Sequence, residues 1–278
     1  MPGRIAIHLS NDASCIRRIE TGLQLAKNRD AAVVGVYPTD GIASYYYHEQ
    51  VLPQEARTSL KHNQDKDKET TRQLFLDKAQ EAGVAAQWRA PDGDADQALA
   101  QHARYSDLII MSKTPREEAR RSLAPNLPES VVMAAGRPVL LLPNAGPINS
   151  IGERILYCWD QRREAARAFT DAAPMLKSCQ ELVVLEVDRD QAQFNSRDLH
   201  DDDFTNYCIS LGYPTPRHIV QHSDGLGVGH IILNTASDYS SDLIVMGAYG
   251  HSRMRQWVMG GASRTLLESM TVPVLMAQ

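Results

Sequence analysis

Short, continuous apolar runs alternate along this chain with longer stretches in which apolar residues return every three or four positions. The runs lie near 4–9, 31–37, 84–89, 107–111 and 138–142, and again near 154–159, 181–187, 216–220, 242–246 and 273–277. Between them the helical period predicts helices over Ala13 to Lys27, Gln54 to Ala82, Ala95 to Tyr105, Glu164 to Lys177 and Gly229 to Tyr239. Runs that are apolar throughout, rather than at alternate positions, mark strands buried on both faces. Strands of that kind, separated by amphipathic helices, predict parallel sheets with helices on either side. Pro38 to Pro53, with Tyr45, Tyr46 and Tyr47, and Asp188 to Asp203 read as surface segments or lids.

The pattern occurs twice. Ser106-Asp-Leu-Ile-Ile-Met111 returns as Ser241-Asp-Leu-Ile-Val-Met246, and Pro138-Val-Leu returns as Pro273-Val-Leu, both displaced by 135 positions. Arg4-Ile-Ala-Ile7 and Arg154-Ile-Leu-Tyr157 stand 150 apart, which places the length difference inside the units. Two domains follow, 1–144 and 151–278, joined by the turn-rich Asn144-Ala-Gly-Pro-Ile-Asn-Ser150. A chain of 278 residues accommodates two such cores.

Composition narrows the function classes. A net charge of −5 disfavours nucleic acid or an anionic membrane as main partner, and no apolar run is long enough to span a bilayer. The N-terminus, Met1-Pro-Gly-Arg-Ile, lacks an apolar signal segment, so a cytoplasmic location is expected. Cys15, Cys158, Cys179 and Cys208 are scattered without a C-x-x-C and read as structural thiols. His218, His222 and His230 do not share one helix face, and no metal site is expected from them.

The candidate chemistry lies after the strand Leu243-Ile-Val-Met246. Gly247-Ala-Tyr-Gly250-His251-Ser252-Arg253 and, further on, Gly260-Gly261-Ala262-Ser263 lead into a helix start. Glycines let backbone approach a ligand, and the free N–H groups at a helix start carry partial positive charge, so the segment predicts a phosphate cradle. Neither the Walker loop nor the G-x-G-x-x-G fingerprint is present. Asp160 stands at the end of its own half's first strand, where it fits either a ligand contact or a cap for the helix starting near Arg163.

A repeated αβ unit with Gly-x2-Gly-x9-Gly after its fourth strand, together with Trp159-Asp160-Gln-Arg-Arg, resembles the universal stress protein family in its tandem form. The resemblance implies two flavodoxin-like or Rossmann-like doubly wound domains, each with a five-stranded, mainly parallel sheet of the adenine nucleotide alpha hydrolase kind. It implies ATP or another adenine nucleotide as ligand, with or without Mg, and a role in sensing stress. By the same resemblance Asp160 lies beside the adenosine, and the backbone of Val187 holds adenine. Gly247 and Gly250 border the ribose and phosphates, with His251, Ser252 and Arg253 in the same loop. Gly260, Gly261, Ala262 and Ser263 meet the phosphate chain. Gly261 departs from the family pattern, which places Ser or Thr there. The lost donor weakens binding by about ten- to a hundredfold at roughly 1.5–3 kcal/mol per hydrogen bond to a charged group.

The first half departs further. Ser112, Pro115, Pro125 and Asn126 stand where the second has Gly247, Gly250, Gly260 and Gly261, and Ser10 stands for Asp160. The nucleotide site is therefore expected in the second half alone. No catalytic constellation is visible, so binding rather than catalysis is expected, with at most slow ATP hydrolysis or self-phosphorylation. The rival reading is a nucleotide-free scaffold or a carrier of an apolar, lipid-like ligand. Segments 138–142 and 273–277 could pair to make the chain its own pseudo-dimer, further homodimerisation is open, and protein partners are unknown.

Overall fold

The computed structural model describes residues 3–40, 54–113, 126–189, 199, 200, 202–248 and 261–278. The chain divides into two compact units, Met1–Asn144 and Ala145–Gln278. Tyr45, Tyr46 and Tyr47 lie outside the described residues.

In the first unit, strands β1 (Arg4–His8), β2 (Ala32–Val36), β4 (Ala86–Arg89), β6 (Leu108–Ser112) and β7 (Val139–Leu142) form a parallel sheet in the order β7-β6-β1-β2-β4. Helices α1 (Cys15–Asn28) and α2 (Gln54–Ala82) pack together, as do α3 (Ala95–Ala103) and α4 (Leu127–Ala134). On α1 the buried residues Cys15, Ile19, Leu23 and Ala26 recur at three- and four-residue steps, which lays one stripe on the sheet. Each such side chain larger than alanine contributes about 1.5–3 kcal/mol when fully buried. A short parallel bridge, β3 (Thr39–Asp40) with β5 (Asp92–Gly93), completes the unit's described strands.

The second unit repeats the plan with β8 (Arg154–Cys158), β9 (Glu181–Val187), β10 (Arg217–Gln221), β11 (Leu243–Gly247) and β12 (Val274–Ala277), in the order β10-β9-β8-β11-β12. Its helices are α5 (Arg163–Asp171), α6 (Ala173–Leu176), α7 (Asp203–Ser210), α8 (Val228–Asp238) and α9 (Gly261–Ser269). Counting strands within a unit, both orders are 3-2-1-4-5. Of the two doubly wound arrangements expected, this is the Rossmann type, whose crevice opens where the chain reverses direction between strands 1 and 4.

Two local features differ from the sequence expectation. The helix expected over Glu164 to Lys177 is two helices, because Pro174 has no N–H and its ring opposes the carbonyl four residues back. The acidic segment expected as surface chain ends in α7, where Asp202 and Asp203 place negative charge at a helix start.

The repeated Ser-Asp has a structural reason. Asp107 in the first unit accepts the Arg4 N–H at 2.8 Å. Asp242 in the second accepts the N–H groups of Gly152, Glu153 and Arg154 at 3.0, 3.1 and 3.0 Å and the Ser150 hydroxyl at 2.6 Å. Each aspartate thus ties the entry of the first strand to that of the fourth, across the switch point.

Candidate functional site

In the second unit the switch point lies between the carboxyl ends of β8 and β11. The Trp159 N–H donates to the Leu185 carbonyl at 2.9 Å, carrying β8 one step beyond its last paired residue. The chain then turns. Gln161 adopts φ 60, and the Asp160 carboxylate accepts the Arg162 N–H at 3.1 Å, with the Arg162 guanidinium 3.8 Å away. Arg162 precedes α5 without a side-chain cap, so Asp160 shapes the approach to the helix from two residues before it. Its side chain is 53% exposed, which leaves carboxylate surface open to a ligand.

β9 ends beside it. Val187 pairs with Gln221, and Asp188 then takes φ 55, donates its N–H to the Gln221 carbonyl at 2.9 Å and accepts the Ser223 N–H at 2.8 Å. That backbone hydrogen bond from Ser223 holds the Asp188 carboxyl below the usual carboxylate range. Buried Glu186 joins the two turns by accepting Gln161 Nε2 and Arg189 Nη1, both at 3.3 Å. Glu186 belongs to no motif of the sequence. A carboxylate inside the apolar run Leu182-Val-Val-Leu-Glu-Val187 was the available signal, since a buried charge demands partners.

Gly247, the last residue of β11, faces α5. A Cβ at this position would stand 2.5 Å from the Ala165 nitrogen and 2.6 Å from the Glu164 carbonyl carbon. The glycine is therefore required by the first turn of α5, whatever else lies near it. Its φ is not in the left-handed region, so space rather than conformation decides. Gly250, His251, Ser252, Arg253 and Gly260 lie outside the described residues. Gly261 opens α9, Ala262 follows, and Ser263 is buried in the first turn. Arg264 pairs with Glu268 at 3.0 Å, an ordinary exposed helix pair. The structure thus brings Asp160, Val187 and Gly247 to the carboxyl ends of three adjacent strands, and places Gly261, Ala262 and Ser263 at the start of the helix following the third.

The same edge of the first unit is built differently. Ser10 was expected to mark a lost carboxylate, but a carboxylate stands two residues further on. Asp12 accepts Arg18 Nη2 at 2.7 Å, Arg18 Nη1 at 3.2 Å, the Ser14 N–H at 2.7 Å and the Ser10 hydroxyl. Arg18 is 2% exposed and donates also to the His8 carbonyl and to Ser10 Oγ, each at 2.7 Å. Burial opposes the charge on Asp12, yet Arg18 and the hydrogen bonds hold its carboxyl below the usual range. Beyond β6, Lys113 pairs with buried Glu129 on α4. Here the ends of strands 1 and 4 carry ion pairs that neutralise themselves instead of an exposed carboxylate and a glycine.

His8 gives this arrangement a pH signature. Burial, reinforced by the Arg18 charge, pushes its pKa down to about 3, and its Nδ1 has no hydrogen-bond partner. The unfolded chain takes up this proton near 6.5, so between that value and about 3 the unfolded state binds more protons. Stability is expected to fall as the pH drops through that window, by at most about 1.4 kcal/mol per pH unit. Asp12 acts in the same direction, its contribution being lost as pH falls below its usual value near 3.8. Urea unfolding at pH 7 and pH 5 measures the slope, and His8→Leu should flatten it; an unchanged slope would contradict the assignment.

Burial raises Cys158 and Cys208 to about 12, Cys179 to about 11, and Cys15 above its ordinary value, so all four stay protonated at neutral pH. Among the described residues no group of three His, Cys, Asp or Glu side chains could hold a metal ion. No described helix is long and apolar enough to cross a membrane.

Two Rossmann-type units, one with an exposed carboxylate at its switch point, define a tandem doubly wound α/β protein. Residues 152–278 match the model of the universal stress protein family. A universal stress protein from Archaeoglobus fulgidus has the same fold over the whole length, with a TM-score of 0.75 at 16% identity, covering 99% of this chain and 98% of that one. A functionally unknown protein from Pseudomonas aeruginosa is similar at a TM-score of 0.58 and 12% identity, covering 99% and 92%. At these identities the likeness is one of fold. No curated protein sequence matches the chain.

Proposed function

We propose that the second unit binds ATP or a related adenine nucleotide at the carboxyl edge of its sheet, and that the protein acts in the cytoplasm as a stress-response sensor or regulator. The observation that carries this reading is the contrast at the end of the first strand. Asp160 is half-exposed and held in place by one backbone hydrogen bond, while its counterpart Asp12 is consumed by the buried Arg18. The match of residues 152–278 to the universal stress protein family model supports the ligand class. The residues present fit it: Asp160 offers an acceptor to ribose or adenine, Val187 ends the neighbouring strand, and the N–H groups at the start of α9 suit phosphate oxygens. The chain offers positioning, and no described group has the role of a nucleophile.

Calorimetric titration of ATP into the full chain tests the proposal. Saturable binding at one site is expected, weakened about tenfold by Asp160→Asn through the lost charge-assisted hydrogen bond. Absence of heat together with an unshifted melting temperature at millimolar ATP would reject it. Two equivalent sites would reject the asymmetry.

A further inference from the structure

The first unit carries a cavity of about 360 Å³ that belongs to neither strand-end crevice. It arises from the edge strand β4. Ala86 and Trp88 turn inward, Trp88 stacking on Tyr37 and contacting Phe75, so Gln87 and Arg89 project from the opposite face. Val34 of β2 is in register with Gln87 and contributes to the floor on that face. The walls come from Arg4, at the start of β1, from His102 in the last turn of α3, and from Tyr105 in the turn beyond it.

The cavity brings together two exposed arginines. Arg89 makes a hydrogen bond to Gln87 Oε1 at 3.2 Å, and neither Arg4 nor Arg89 forms an ion pair among the described residues. The Asp107 carboxylate accepts the Arg4 backbone N–H at 2.8 Å. His102 is neutral near pH 7, its pKa lowered by burial and by Arg89, and so offers one donor and one acceptor. A charged residue on an edge strand is commonly a guard against strand pairing, which would account for Arg89 alone. It does not account for Arg4, an aliphatic floor and a phenol ring around the same volume, which falls within the usual range of ligand pockets, about 300–1,000 Å³.

We infer that this cavity binds a small organic anion, a phosphate monoester or a carboxylate, whose oxygens meet Arg4 and Arg89 and whose remaining part lies over Val34 against Tyr105. Guanidinium forks match the planar, paired oxygens of both groups, so the shared chemistry is two anionic oxygens on one compact molecule. The site is independent of the nucleotide reading, since it uses the other unit and none of the same residues.

Phenyl phosphate and citrate serve as probes on the full chain, followed by NMR at the His102 ring and the Arg89 Nε–H. Saturable shifts at millimolar concentration are expected with at least one probe, and which one responds identifies the preferred anion. Arg4→Gln and Arg89→Gln, both at exposed positions, should each weaken binding about tenfold or more, the scale of one hydrogen bond to a charged group. Asp160→Asn should leave these shifts untouched, so failure here and failure of the nucleotide proposal are separable. Shifts that fail to saturate with either probe, or an Arg89→Gln chain that titrates like the parent, would overturn the inference.

Discussion

Gly247→Ala is expected to destabilise the second unit by about 1–3 kcal/mol in the absence of any ligand, the range for forcing atoms into a packed interior. The added carbon would meet the backbone of Glu164 and Ala165 rather than a flexible side chain. β11 cannot retreat, being paired with β8 on one side and β12 on the other. Nor can α5 easily tilt away, because Ala165, Ala168 and Phe169 bury its inner stripe and the Tyr157 hydroxyl donates to the Ala165 carbonyl at 3.0 Å. Alanine is no worse than glycine within a strand, so the loss isolates helix docking. Urea unfolding of the ligand-free chain measures it; a midpoint equal to the parent's would mean that α5 docks elsewhere. Because α5 follows directly on the Asp160 turn, the variant should also displace that carboxylate and weaken ATP binding.

Arg18→Met should cost the first unit more, about 3–5 kcal/mol, the range for breaking one half of a buried ion pair. The substitution removes the hydrogen bonds to Asp12, to the His8 carbonyl and to Ser10, and leaves the Asp12 carboxylate largely desolvated with only the Ser14 N–H and the Ser10 hydroxyl. Much of the penalty is the stranded charge rather than the worth of the pair. Adding Asp12→Asn to Arg18→Met should therefore recover part of the loss, and a double-mutant cycle reads the coupling. A second signature follows. Without the neighbouring guanidinium the His8 pKa should rise, although burial, the larger cause, keeps it below that of a free histidine. Equal stability of Arg18→Met and the parent would show that the first unit does not depend on this pair.

Three positions of the candidate site were legible as strand ends because their markers are local. Asp160, Val187 and Gly247 each follow an apolar run, and in a parallel sheet the ends of such runs gather on one edge. The repeated Ser-Asp was visible as a repeat but not as a clamp, since its partners at 150–154 lie far along the chain. The offset that equated Ser10 with Asp160 failed to find Asp12. It compared positions in a strand-to-helix turn, where a shift of two residues still delivers a carboxylate to the strand end. Gly247 read as a ligand contact, while its packing role depends on how closely α5 approaches, which no linear pattern encodes.

By itself the amino-acid sequence determined the two units, their strands and most of their helices, because buried parallel strands and amphipathic helices each impose a period that survives in one dimension. It also determined the asymmetry of glycines between the halves. The tertiary structure alone decided the 3-2-1-4-5 order of each sheet, the burial of Arg18 against Asp12, and the gathering of Arg4, Arg89 and His102 around one cavity. Those outcomes rest on which distant segments become neighbours, and it is proximity in space that sets desolvation, charge pairing and cavity shape.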